Sequence, residues 1–362
     1  MVAQWRELEE QASGAVLFQS CGWARAIFDF ESARGNTAFE PVVVTLRDGG
    51  RLVAVLPLER ISGFSRRVLV PLGHAFAQYS DLLVLPGYEP REVVGRMVQC
   101  AVTAAACDSL NFLKVRADSM LARGMPANRV EMGKAQGAPY VALDGFADFD
   151  AYFHTIKAKT RKNLRNARNR LEREGAVSHD IAATGDEALG VIARTLSGRA
   201  GRLREQGLSS RAFREEDFAR FCATLPACDD IELLAMSLRC GDEPMAEQWG
   251  FVHGGRYYAY VASRDFSRSE ESPGKLHLGE IIQACIARGL IGADLMVPAM
   301  PYKLTWATQV VPVADYALPV TPRGVLVIAL WDMRLRPLLK STALGMPTWL
   351  RSLLMRAIRI GR

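Results

Sequence analysis

Along the first third of the chain the hydrophobic positions trace a helix, a hairpin and a series of short runs. Trp23, Ala26, Ile27 and Phe30 share one helical face behind Ser20, a capping residue. Pro41–Leu46 and Leu52–Leu58 alternate or run apolar on either side of Asp48-Gly49-Gly50, which predicts a hairpin. Val68–Leu72 and Leu82–Leu85 continue the strand pattern, Pro90–Ala106 returns to helical spacing, and Leu110–Val115 is again a strand. Gly133–Pro139 interrupts the pattern and reads as a linker. Helix, meander, helix and strand in this order give an α/β or α+β class.

Beyond the linker, Phe153, Ile156, Leu164, Ala167 and Leu171 predict one long amphipathic helix over Phe149–Glu174, closed by Gly175 as a left-handed cap. A strand at Val177–Ala182, helices near Glu187–Gly201 and Arg214–Ala223, and three strands (Glu232–Leu238, Met245–Phe251, Tyr257–Val261) follow. Gly254-Gly255 suits a two-residue hairpin turn with positive φ at both positions. Taken strictly, that turn pairs Phe251 with Tyr258, Trp249 with Tyr260 and Glu247 with Ala262, so Glu247 shares a face with three aromatic rings. A carboxylate so placed has its pKa raised by desolvation and is a candidate base; the competing role is an ion pair with an arginine or lysine. A polar loop then closes on Ser272-Pro273-Gly274-Lys275, and Leu278, Ile281, Ile282 and Cys285 mark a helix. A last apolar run, Ala293–Val297, leads to Tyr302-Lys303.

The loop before that helix is the main chemical candidate. A helix start presents unpaired backbone N–H groups and about half a positive charge. Gly274 allows close approach of an anion, Ser272 offers a capping hydroxyl, and Lys275 and Arg268 add charge. Neither nucleotide-binding glycine fingerprint is present. His74 and His277 are weaker candidates, the second as a capping or surface residue.

Composition narrows the class. With 362 residues, 49% hydrophobic and 23% charged, the chain suits two globular cores. The seven cysteines form no CxxC pair and sit mostly in apolar runs, which predicts reduced core thiols, no metal site and a cytoplasmic setting. No signal peptide or membrane-spanning run is expected. The net charge of +6 is concentrated in two blocks. Lys157–Arg173 holds eight Lys/Arg against one acid, as does 323–362, whose only acid is Asp332. The first is either a solvated face or a docking surface for phosphate. In the second, Leu350, Leu353, Leu354, Ala357 and Ile358 share a helical face with arginines mainly off it. That suits either packing on the protein or an anionic membrane surface, where each cation contributes about 1 kcal/mol. The basic helix lacks interleaved aromatics, so no nucleic-acid partner is expected.

Three stretches taken together, Phe153–Gly175, Ser272–Gly289 and Ala293–Thr308, resemble GNAT-type acyltransferases of the FemAB-like and CelD-like group, a bacterial family; Gln4–Phe28 and its following hairpin resemble that group's N-terminal half. The resemblance implies two tandem GNAT-like halves, each a mixed, mostly antiparallel sheet flanked by helices: a degenerate domain at 1–138, an acyltransferase domain at 139–322 and a basic amphipathic tail at 323–362. It implies acyl-CoA as co-substrate and an amine as acceptor. Arg268, Ser272, Gly274, Lys275 and Leu276 correspond to the pyrophosphate-binding loop, and Ala262 lies on the strand whose splayed end meets the thioester. Tyr302 and Lys303, followed by Trp306, match the family's Tyr-Lys-x-x-Trp signature: Tyr302 as acid to the leaving thiolate, Lys303 as partner of an oxyanion or phosphate. Where relatives carry an acid before that pair, this chain has Pro298–Pro301, which leaves Glu247 first and Glu280 second as the base. The expected activity is N-acylation of a lipid-like amine, for example a long-chain base as in bacterial ceramide synthesis, by an enzyme peripheral on the inner face of the cytoplasmic membrane. An envelope polysaccharide or peptidoglycan precursor as acceptor, and a non-catalytic scaffold, are the alternatives.

Overall fold

The computed structural model describes the chain apart from residues 13, 15–16, 64–65, 206–215, 265–271, 336–337, 340–341 and 343–362. It separates into two compact units, Met1–Ala135 with Pro312–Arg362, and Gln136–Val311. In the first unit, helices α1 (Val2–Gln11) and α2 (Cys21–Ala33) precede strands β1 (Glu40–Asp48), β2 (Arg51–Ser62), β3 (Arg67–Pro71) and β4 (Leu83–Val84). Then come α3 (Pro90–Ala105), β5 (Ser109–Arg116) and α4 (Met120–Gly124). Ser20 caps α2 as expected, its Oγ accepting from the Trp23 N–H at 3.0 Å. Gly49 and Gly50 turn the β1–β2 hairpin at φ +54° and +84°. The sheet pairs antiparallel except where β3 meets β5 in parallel.

The expected linker at Gly133–Pro139 is instead part of one continuous strand, β6 (Val130–Ala142). Its middle is exposed on both faces, so no hydrophobic alternation announces it; ladder pairing at its C-terminal end, Tyr140–Ala142 against the later strand β11, reveals it as a strand. The second unit continues with α5 (Phe149–Thr155), α6 (Ala158–Glu174), β7 (Val177–Ile181), α7 (Gly185–Glu205) and α8 (Glu216–Thr224). Next are β8 (Glu232–Cys240), β9 (Glu243–His253), β10 (Arg256–Arg264), α9 (Pro273–Ala287), β11 (Gly292–Asp294) and α10 (Pro301–Leu304). Its strands neighbour one another in the order β6-β11-β10-β9-β8-β7, antiparallel except β10 with β11. Strand β12 (Gln309–Pro319) leads back to the first unit, where Val313–Pro319 pair with β5. The boundary expected at 322 therefore falls at 311, because β12 completes the first sheet. Helix α11 (Pro322–Val327) runs on as a wider π-helix over Ile328–Leu335.

Two helix expectations need correction. The long helix breaks into α5 and α6, with Ile156 extended, and Arg161 donates back to the carbonyls of His154 and Ile156 at 2.6 and 2.8 Å. Gly175 ends α6 with extended backbone, φ 176°, rather than as a left-handed cap. Its lack of a side chain is used differently: a Cβ there would sit 3.2 Å from Cys240 Sγ. The core of the second unit joins Tyr152, Leu164, Leu278, Ile281, Ile282, Leu295 and Trp306, so the apolar stripe read from α9 does face inward.

Candidate active site

The site is built where β10 outruns β11. Their parallel pairing ends at Tyr258 with Asp294, whereas β10 continues to Arg264 paired with β9. Alternate N–H groups along that stretch point to the edge β11 has left, so the splayed end of the sheet presents backbone donors. A bulge sharpens the divergence: Ala259 opposes Gly250 and Val261 opposes Trp249, leaving Tyr260 as the extra residue. The strict hairpin register therefore holds only as far as Ala259. Beyond it Ala262 faces Gln248, and Glu247 faces Ser263 instead of Ala262.

At the open end β11 stops abruptly. Met296 takes φ +58°, and the Val297–Pro298 peptide is cis. The buried Asp294 carboxylate accepts the Met296 N–H at 2.8 Å, and Lys303 Nζ donates to the Met296 carbonyl at 2.9 Å. One turn thus holds the Lys303 amine at the tip of the strand. Burial, and secondarily the Arg199 charge, lower its pKa to about 8, with Asp294 opposing. Burial raises the pKa of Tyr302 against the opposing charges of Arg199 and Arg264, so its hydroxyl keeps its proton at neutral pH. Arg199 on α7 is itself depressed by burial. Trp306 anchors the motif from below: it stacks on Tyr152 with 6.4 Å between ring centroids, its carbonyl accepts the Tyr152 hydroxyl, and it fills the space a side chain at Gly279 would need.

The start of α9 belongs to the same cluster. A Cβ on Gly274 would lie 3.0 Å from Arg264 Cδ, so this glycine lets the arginine cross the helix start toward Tyr302. Ser272 is left-handed (φ 50°) and makes no side-chain cap bond, contrary to the expected capping hydroxyl; its carbonyl instead accepts the N–H groups of Lys275 and Leu276 at 2.9 and 3.2 Å. Lys275 and Leu276 lie in the first helical turn, half-buried. Arg268 lies outside the described residues.

Both expected bases are engaged in ion pairs. Glu247 is buried and held by Arg194, Nη2 at 2.8 Å and Nε at 3.0 and 3.1 Å, while Ser237 Oγ donates at 2.8 Å. On β9 it shares a face with Trp249, whose indole donates to Thr195 of α7, and on that side the arginine neutralises it. Glu280 pairs with Arg168 of α6, which also binds Glu172 at 3.0 Å. His277 is fully buried rather than capping or at the surface, with burial pushing its pKa down to about 3. His74 contacts Glu59 at 2.7 Å in the first unit. Among the described residues no group of three or more His, Cys, Asp or Glu could hold a metal ion. Sequence reasoning missed Arg199, Arg264 and Asp294. The first two are isolated arginines with no spacing signal; Asp294 stands inside a quoted motif, and its place at a strand end was the available clue.

Comparison with known proteins agrees with this geometry. Residues 158–304 match the acetyltransferase (GNAT) domain family. Among solved structures the fold is similar to FemX, with TM-score 0.66 and 9% identity over 92% of this chain and 98% of that one. It is also similar to the C-terminal domain of a putative lysylphosphatidylglycerol synthetase from Agrobacterium fabrum, with TM-score 0.51 and 12% identity over 90% and 94% of the two chains. No curated sequence matches. Residues 158–304 thus carry a GNAT-type acyltransferase domain, and the chain as a whole has a mixed α/β fold similar to that of FemX.

Proposed function

Taking this acyltransferase as premise, we propose that the second unit moves an acyl group from acyl-CoA to the amine of a lipid-like acceptor at the inner face of the cytoplasmic membrane, a long-chain base in the specific version. The observation that carries the reading is the enclosure of Tyr302 and Lys303 by Arg199, Arg264 and Asp294 at the splayed end of β10 and β11. Three cations against one carboxylate favour an anionic co-substrate. Gly274, Lys275, Leu276 and Ser272 at the α9 start, with Arg264, hold the pyrophosphate side of the site, Arg268 belongs to the same loop, and Ala262 lies on the strand that receives the thioester.

The chemistry requires a neutral amine, an oxyanion donor and an acid for the leaving sulfur. The amine nitrogen bonds to the thioester carbonyl carbon, the carbon–sulfur bond breaks, and Tyr302 protonates the departing thiolate. Lys303, with a pKa of about 8, takes the proton that the new amide nitrogen loses, while Glu247 and Glu280 are engaged in ion pairs. The backbone edge of β10 beyond Tyr258 supplies N–H groups to the oxyanion. The rim favours an apolar acceptor over a polysaccharide or peptidoglycan precursor. Met300, Leu304 and Val310 are 44–46% exposed, and Val310 and Ala299 both lie against Gly137, so the residues replacing the family's acid form an uncharged lip. Acyl-CoA raises the melting temperature if this is correct, and Arg264→Glu abolishes the rise; an unchanged rise in that variant places the co-substrate elsewhere.

A further inference from the structure

Helix α11 and its π-helical continuation show an apolar face that is exposed among the described residues. One side is fixed to the first unit. Thr321 Oγ1 caps the helix by accepting the Gly324 N–H at 3.1 Å and donates to Asp108 at 2.9 Å, Ile328 packs with Met132 and Ala317, and Asp332 forms a two-pronged ion pair with Arg66 at 2.5 and 3.3 Å. The buried positions 324, 328 and 332 recur every four residues. On the other side Val325, Leu326, Leu330, Met333 and Leu335 are 44–58% exposed. A helix on the surface of a globular unit ordinarily turns polar residues to water. Here the outward side is apolar and holds no acid, since Asp332, the sole acidic side chain of 323–362, faces inward and pairs with Arg66.

We infer that this face of residues 322–335 docks the protein onto an anionic bilayer surface, lying in the interface plane. Charge selects that occupant over a second copy of the chain. Arg323 and Arg334 flank the apolar stripe, and Arg336 and Lys340 follow in sequence. Two copies meeting through the face would bring like charges together, whereas anionic headgroups complement them. No helix among the described residues is long and apolar enough to cross a membrane, and the helix is anchored along its other side, so contact is peripheral. The inference extends the membrane-surface reading of the acceptor and rests on it only for its biological setting.

The test is co-sedimentation of the full chain with vesicles of phosphatidylcholine, with and without phosphatidylglycerol, in the absence of acyl-CoA and amine. The protein is expected to bind the anionic vesicles and to be released by salt. Leu326→Gln/Leu330→Gln, both solvent-exposed and so without cost to folding, lowers partitioning by roughly tenfold or more, with an unchanged melting temperature. Wild-type-like binding by that variant overturns the inference and moves the contact elsewhere, including to residues 343–362. Failure of the wild type to bind overturns it as well, as does a dimer that the same substitutions convert to monomer without vesicle binding. Vesicle binding without acyl transfer sinks only the catalytic proposal; transfer without vesicle binding sinks only this one.

Discussion

At the scale of single residues, Lys303, the proposed base, carries a cost in stability. Its folded pKa of about 8 lies below the ordinary lysine value of 10.5, so between those limits the unfolded chain binds more protons and stability rises with pH. Below pH 8 both states are protonated and the penalty of a buried ammonium is present in full. Lys303→Met removes it: the variant should melt no lower than wild type at pH 7, and its advantage should shrink as pH rises toward 10.5, measured by thermal denaturation across that range. A lower melting point at pH 7 would mean that the bond to the Met296 carbonyl outweighs the burial. Glu247→Gln acts in the opposite direction. Loss of the Arg194 pair should cost about 1 kcal/mol, a low figure because Arg194 is half-exposed, while the pH profile of turnover stays where it is; a displaced profile would restore Glu247 as the base. The Tyr302–Lys303 pair was singled out in sequence by its resemblance to the family's Tyr-Lys-x-x-Trp signature. Arg199 and Arg264 were not, since only folding brings one helical arginine and one strand-end arginine to the same hydroxyl.

At the scale of elements, the site depends on two departures from regularity. The Gly254-Gly255 turn was readable from its dipeptide, with φ of +55° and +72°, and it set the register correctly at the hairpin's closed end. The bulge at Tyr260 was not readable, because a bulge is decided by packing: a Cβ at Gly250 would come within 2.0 Å of the Tyr258 carbonyl, and Trp249, Phe251 and Tyr260 cluster at 5.0–5.8 Å between ring centroids. The single residue of slip sets Ser263 rather than Ala262 opposite Glu247. The second departure is the seat of α10, where Trp306 lies over Gly279 of α9 at a spacing that leaves no room for a methyl group, 2.7 Å to the ring. Gly279→Leu forces that ring aside, and overpacking of this kind costs roughly 1–3 kcal/mol. Chemical denaturation should show this loss together with reduced turnover, because the Trp306 anchor carries Lys303. Full stability in the variant would show that the indole has space to move.

At the scale of the whole molecule, each unit is a mostly antiparallel sheet with one parallel pair, β3 with β5 and β10 with β11, joined through α3 and α9 respectively. The fold class and the order of elements were legible because helical and strand periodicities persist along most of the chain. The division into units was less so: β6 and β12 pass from one unit to the other as unbroken strands, and a polar, exposed middle such as that of β6 resembles a linker in sequence. The central claim, that the Tyr302–Lys303 cluster moves an acyl group from a thioester to a lipid-like amine, is tested most directly by mass spectrometry of the product formed from acyl-CoA and a long-chain base in anionic vesicles. The account predicts an N-acyl amide and equimolar free CoA with wild-type protein, and a loss of at least about a hundredfold in rate with Lys303→Met. No amide from the wild type, or undiminished amide from Lys303→Met, would contradict it.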